Sequence, residues 1–329
     1  MPMLAVLAAS ILAAAAVPEP LPAPPQPEPQ RVAPGVWLLP GAILPNRQPD
    51  GNTIIFAAPR GLVVMDTGRH VWRRQAILDF ARARHAPIVA IVNSHWHLDH
   101  VSGNPALKAA YPQARVYASR AIDGALTGFL ARSVLDAQPY LEAGKLPPET
   151  AEDIRNDMAT IKAGQALRPD VPIDASGPRD LGGLKLQVNL SPKAATAGDV
   201  WVYDPRTRVA AVGDLVTLPA AFLDTACPRG WSAALEQVWA TPFRTLIPGH
   251  GPVMDRDQFA LYRKAFDALV DCAASQATKT ECAVAWTAAV APLLGSGSAE
   301  PKRAQGMTEY YVSEVLRANG GKSAWCAAA

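Results

Sequence analysis

Three features of this 329-residue chain predict a layered α/β fold. Short, β-branched apolar runs alternate with segments of helical period through its first half. Several of those runs are followed at once by Asp or His, so polar chemistry collects where strands end. Apolar residues make up 49% of the chain, enough to build the core of one large or two ordinary domains.

Taken in order, residues 36–39 and 52–58 are strands. Pro59-Arg60-Gly61 turns the second of them into a third, residues 62–65, which runs into Asp66-Thr67-Gly68. Residues 72–85 place Ile77, Phe80 and Ala81 at helical spacing, with arginines over much of the other face. Residues 88–92, Ile-Val-Ala-Ile-Val behind Pro87, form a buried strand. A short helix over 104–110 and a strand over 116–118 follow. From 119 to about 175 the period turns helical, through Leu126, Phe129, Leu130, Val134 and Leu135 and then Ile154, Met158 and Ile161. This is a helical insertion, read either as a cover over a site or as a packing appendage. Residues 184–190 alternate apolar and polar as a half-buried strand. Residues 200–203 and 209–212 form a hairpin-like pair, 231–238 a helix, and 245–248 a strand that delivers His250. Residues 258–272 and 309–317 are helical within a C-terminal extension, 257–329.

The ends of the chain read differently. Residues 1–16 are a short alanine-rich apolar run, too short for the roughly 20 residues of a membrane span. With small residues at Ala14 and Ala16, the run reads as an export signal, although no Lys or Arg precedes it. The protein is therefore expected to be exported, periplasmic or secreted. Residues 17–34 are proline-rich and read as an extended linker to the folded body, residues 35–256. The net charge of +2, without a clustered basic face, argues against nucleic acid and leaves a small molecule as the expected partner. Cys227, Cys272, Cys282 and Cys326 contain no Cys-x-x-Cys pair. Three full disulfide pairings are open, Cys272 with Cys282 being the most local.

Three of the six histidines and one carboxylate lie between His95 and His100, directly after the strand 88–92. Imidazoles suit zinc and similar divalent metals, and a carboxylate adds a hard oxygen. His95 and His97 share one parity and project to the same side of an extended segment, while Asp99 and His100 turn toward a neighbouring position. Asp214, as a bridging carboxylate, and His250, as a closing imidazole, complete a metal site of one or two ions. Asp66 is placed to hold a loop beside the cluster by hydrogen bonds.

In Met65-Asp66-Thr67-Gly68, His95-Trp96-His97-Leu98-Asp99-His100, Gly213-Asp214 and Pro248-Gly249-His250-Gly251, the chain resembles the metallo-β-lactamase superfamily. The resemblance implies an αββα sandwich of the metallo-β-lactamase type and a zinc site. It assigns His95 and His97 to a first metal, Asp99, His100 and His250 to a second, and Asp214 to both. One position departs from the pattern. Where family members carry a further histidine in His-Thr-x-Gly-Asp, this chain reads Ala195-Thr196-Ala197-Gly198-Asp199, so the second metal site is more complete than the first. His70 and Lys193 are conceivable substitutes. An aspartate at 214 resembles the broader hydrolases of the superfamily more than true β-lactamases. The leading expectation is a zinc-dependent hydrolase of an ester, thioester, lactone or related bond, with Asp99 or Asp214 orienting the attacking water. The alternatives are a binding or accessory protein with an incomplete metal site, or iron on the same scaffold.

Overall fold

The computed structural model describes residues 21–295 and 300–318. The apolar N-terminal run and Cys326 lie outside them.

Two sheets pack face to face. The first holds seven strands in chain order: β1 (Gln30–Ala33), β2 (Val36–Leu39), β3 (Thr53–Ala58), β4 (Gly61–Met65), β5 (Ile88–Val92), β6 (Arg115–Ala118) and β7 (Val171–Pro172). Pairing is antiparallel from β1 to β4 and parallel from β4 to β7. The second sheet reads β12 (Thr245–His250), β11 (Val209–Thr217), β10 (Asp199–Asp204), β9 (Leu184–Ser191) and β8 (Gly177–Leu181). Between the sheets, Ile54, Phe56, Val63 and Met65 meet Leu186, Val188, Val202 and Ile247.

Strand parity then explains the outer layers. Ile55 and Val64 point away from the sandwich, against Ile77 and Phe80 of α1 (Val71–Ala83) and Leu107 of α3 (Asn104–Ala110); α2 is the short turn Leu98–Val101. On the far side, α7 (Pro228–Ala240), α8 (Arg256–Ala274) and α9 (Lys279–Val290) bury Trp231, Phe266 and Trp286 against Ala210 and Val212 of β11. Helices thus cover both sheets, the four-layer arrangement the sequence predicts. The insertion contributes α4 (Ala121–Thr127), α5 (Phe129–Glu142) and α6 (Pro148–Lys162). A last helix, α10 (Glu300–Tyr310), passes into a π-helical segment, Tyr311–Arg317. No helix among the described residues is long and apolar enough to cross a membrane.

The structure corrects four boundaries. Gln30–Ala33, expected to be linker, pairs with β2 as an edge strand. Val171–Pro172, expected in the helical insertion, pairs with β6. β8, Gly-Pro-Arg-Asp-Leu, was not expected at all; an edge strand needs little apolar alternation and tolerates proline. α9 is apolar over much of its surface and shows no stripe, but Thr278 and Glu281 form the reciprocal cap that marks its start. Of the three open pairings, Cys272–Cys282 forms, joining the end of α8 to α9.

Candidate metal centre

The centre lies where β4, β5, β11 and β12 end on one edge of the sandwich. Asp214 is not beyond its strand, as the sequence suggests, but inside β11. Gly213 takes φ +53° and shifts the β11–β12 register, so the strand continues to Thr217 while Asp214 is re-aimed. His250 is the last residue of β12. His95 and His97 occupy the loop after β5, and Asp99 and His100 lie on α2. Flanking polar residues hold that loop. Asn93 Nδ2 donates to the His100 carbonyl at 3.1 Å, and Asn104 Nδ2 donates to Asn93 Oδ1 at 2.8 Å.

Five of the predicted ligands converge. His250 Nε2 is 3.0 Å from Asp99 Oδ2, and His100 Nε2 is 3.2 Å from Asp214 Oδ1 and 3.4 Å from Asp99 Oδ2. His95 Nε2 is 3.5 Å from Asp214 Oδ2. Two triads result, His95/His100/Asp214 and Asp99/His100/His250, each with its donor atoms within 4.8 Å of one another. His97 belongs to neither triad among the described residues, although its ring centroid is 4.4 Å from that of His95.

The donor atoms are buried and unspent. Nε2 of His95, His100 and His250 and both carboxylate oxygens of Asp214 have no hydrogen-bond partner among the described residues. Buried polar atoms are normally satisfied, so five orphans gathered in these two overlapping triads fit cation binding. Electrostatics agree. Burial pushes the His95 and His97 imidazoles down, toward the neutral form that ligates. Burial also opposes charge on His100, but Asp214, Asp99 and Asp66 outweigh it and raise that imidazole well above its usual value. Burial alone would raise Asp99 and Asp214, yet the neighbouring histidines hold both below the usual carboxylate range. Three imidazoles and two carboxylates around shared space suit zinc or a similar divalent ion.

Asp66 does the holding expected of it. It is fully buried and accepts from the Ser94 amide and the Ser94 hydroxyl, each at 2.7 Å. It also lies 2.9 Å from His100 Nδ1. The His100 Nδ1–H therefore donates to a carboxylate, and Nε2 is left to face the cluster. Glycines leave room for these side chains. A Cβ on Gly51 would come within 2.4 Å of His100 Cε1, and one on Gly249 within 2.0 Å of Asp214 Oδ1.

Ala195 is 1% exposed, with its methyl in the apolar cluster that contains Trp201 and Trp231. His70 is engaged elsewhere: Nδ1 is 2.5 Å from Asp50 Oδ2 and Nε2 is 3.1 Å from Asp153 Oδ2. Lys193 is exposed on the loop before Ala195. Four contributors had no assigned role in the sequence. Ser94 stood inside the motif and Gly249 beside His250, whereas Gly51 lay far from any ligand in sequence. Arg69 had no signal: it pairs with Asp157 of α6 and lies 3.6 Å from Asp99 Oδ1, tying the insertion to a ligand.

Asp199 lies close to the centre, and its carboxyl is pushed up to about 7 by burial, with the Thr196 amide and nearby His100 opposing. Its folded value exceeds its unfolded one, so the native state binds more protons than the unfolded chain between about pH 4 and 7. The stability this contributes is complete below about 4 and is lost as pH rises to 7. In metal-free protein, Asp199→Asn should therefore gain on the wild type by about 1.4 kcal/mol per pH unit across that window and level off above it. Urea melts at pH 5, 6, 7 and 8 measure the gap; a constant gap would contradict it.

A cavity of about 840 Å³ opens beside the centre. His97, Asp99 and Trp96 stand at one side, Phe129, Leu130 and Val134 of α5 and Ile154 and Met158 of α6 at another, and Met307 and Tyr311 come from the C-terminal helices.

Fold and centre together define an αββα sandwich with a buried His/Asp cluster, a candidate cation site, at one sheet edge. The chain belongs to the metallo-beta-lactamase superfamily, whose family model matches residues 47–271. It is 28% identical over 226 residues to a linear primary-alkylsulfatase of Pseudomonas sp. (strain ATCC 19151), covering 62% of this chain and 42% of that one. A 54-residue stretch is 46% identical to a hydroxyacylglutathione hydrolase of Synechococcus sp. (strain JA-3-3Ab), covering 16% of this chain and 21% of that one. The chain thus spans less than half the length of these relatives. Among solved structures, a metallo-beta-lactamase from Pontibacter korlensis superposes with a TM-score of 0.52 at 21% identity, over 73% of this chain and 98% of that one. DIM-1 metallo-beta-lactamase superposes with a TM-score of 0.52 at 15% identity, over 74% of this chain and 98% of that one. These two share the fold. The superfamily and the named relatives support a hydrolase.

Proposed function

We propose that this protein is a zinc-dependent hydrolase of an ester, thioester, sulfate ester or lactone whose substrate carries an apolar group. The five unpartnered donor atoms of His95, His100, His250 and Asp214 carry the metal assignment. When bound there, a divalent metal supplies a water acidified to a pKa of about 7 and polarises the bond to be cut. The rest falls to the chain. Asp99 and Asp214, both held ionised, accept and orient protons of the attacking water. Asp66 fixes His100 through its Nδ1–H, so the ring does not reorient as charge develops. Trp96 and Phe129 wall the approach and exclude bulk water. The sulfate ester enters the list of bonds through the alkylsulfatase relative, the thioester through the hydroxyacylglutathione hydrolase.

The cavity supports the apolar group. α5 buries only Leu130 fully, leaving the partly covered Phe129 and Val134 facing this space beside the centre. On a series of p-nitrophenyl esters, kcat/KM should rise about fourfold per buried methylene until the cavity is filled. Elemental analysis accompanies the assay. Zinc-loaded protein that turns over the series supports the reading; zinc-free protein as active as the loaded form would end it.

Ala195 favours a second reading, a binding or accessory protein built on an incomplete centre. Protein that retains zinc through chelation yet hydrolyses none of the esters, sulfates, thioesters or lactones supports that reading. An export destination remains part of the proposal, resting on residues 1–16 alone.

A further inference from the structure

His97 is the predicted ligand that the triads leave out, and its surroundings show how it is prepared. His97 Nε2 lies 2.9 Å from Thr225 Oγ1. The same hydroxyl donates to the main-chain carbonyl of Ala195 at 3.1 Å. A carbonyl oxygen only accepts, and a threonine hydroxyl has one proton. That proton is committed to Ala195, so toward His97 the oxygen offers a lone pair and Nε2 must carry the hydrogen. The lone pair of the neutral His97 ring is then on Nδ1.

His95 is set the opposite way by the same logic. The Ser94 hydroxyl donates to Asp66 Oδ2 at 2.7 Å and lies 2.9 Å from His95 Nδ1. It must accept from Nδ1–H, which frees Nε2. That freed Nε2 is the buried, unpartnered atom that joins Asp214 and His100. At His95, then, a committed hydroxyl predicts which nitrogen faces the cluster, and the geometry agrees.

We infer that Thr225 is a positioning residue that locks His97 in its Nε2–H tautomer and reserves Nδ1 for metal. It takes its own orientation from the backbone of Ala195. This rests on the metal-centre reading above. It gives the segment 195–199 a use despite its missing imidazole: in place of a side-chain ligand it supplies a carbonyl that sets the proton of a ligand. Thr225 is 2% exposed, so water does not compete for either bond.

Two measurements test the lock. In uniformly 15N-labelled, metal-free wild type, long-range 1H–15N spectra report the His97 tautomer directly. The expected pattern is a protonated Nε2 and an unprotonated Nδ1 whose shift moves when zinc is added. A protonated Nδ1, or an Nδ1 shift indifferent to zinc, overturns the inference, whether or not any substrate is ever hydrolysed. Thr225→Val keeps shape and removes the hydroxyl, whereas Thr225→Ser keeps the hydroxyl. By competition with a chromogenic chelator, Val should weaken zinc binding on the order of 10- to 100-fold, with Ser near wild type. Val binding zinc as wild type does would overturn it. If wild type binds no zinc at all, the metal-centre reading fails, and the tautomer spectrum still decides the proton.

Discussion

Asp214→Asn is expected to cost hydrolysis on the order of 10³-fold and to lower the zinc bound per chain. The substitution keeps size and removes charge. Both Asp214 oxygens are buried without partners, one 3.5 Å from His95 Nε2 and the other 3.2 Å from His100 Nε2. An amide nitrogen in place of either oxygen points hydrogens at the cation, and the neutral amide brings no charge to offset it. The centre loses the carboxylate of the His95/His100/Asp214 triad, one oxygen of which also lies 3.6 Å from His250 Nε2. Assay at saturating zinc with elemental analysis of the same sample separates lost metal from lost chemistry. A variant that keeps full activity and wild-type zinc would remove Asp214 from the centre.

The second large effect comes from a residue with no side chain. Gly249→Ala should lose the metal and destabilise the fold by about 2 kcal/mol. Its Cβ would lie 2.0 Å from Asp214 Oδ1, 2.6 Å from Gly213 C and 2.8 Å from the Asp214 amide. Two of those atoms are backbone, so β11 and β12 must part or the Asp214 carboxylate must turn away. Gly306→Ala in α10 is the control, with nothing within 4 Å of the new methyl. It should be neutral, or more stable by up to about 1 kcal/mol. Thermal melts with and without zinc measure both. A Gly249→Ala protein that melts and loads zinc as wild type does would contradict the packing argument. The two expectations are coupled because both act through one carboxylate.

Much of the scaffold was legible because its signals are local. β5 announces itself as a β-branched run behind Pro87, and α1 by Ile77, Phe80 and Ala81. The strands that escaped, β1, β7 and β8, lie at or next to sheet edges, where little apolar surface is buried and the period carries no instruction. α9 escaped for the opposite reason, an apolar surface too even to show a face. The register shift at Gly213 was hidden too, since glycine tells that something unusual happens and not that a strand survives it.

By itself the sequence determined the donor inventory and its address. His95, His97, Asp99, His100, Asp214 and His250 are ligand-type residues placed at or near strand ends, and both properties are written in short windows of chain. The tertiary structure decided what those donors are prepared to do. Which nitrogen of His97 holds the proton depends on Thr225, 128 residues away, and through it on the carbonyl of Ala195. Which carboxylates stay charged depends on burial and on histidines brought in from the loop after β5, from α2 and from β12. The physical reason is range: backbone period and side-chain type act over a few residues, whereas proton placement is set by whichever partner the fold delivers within 3 Å.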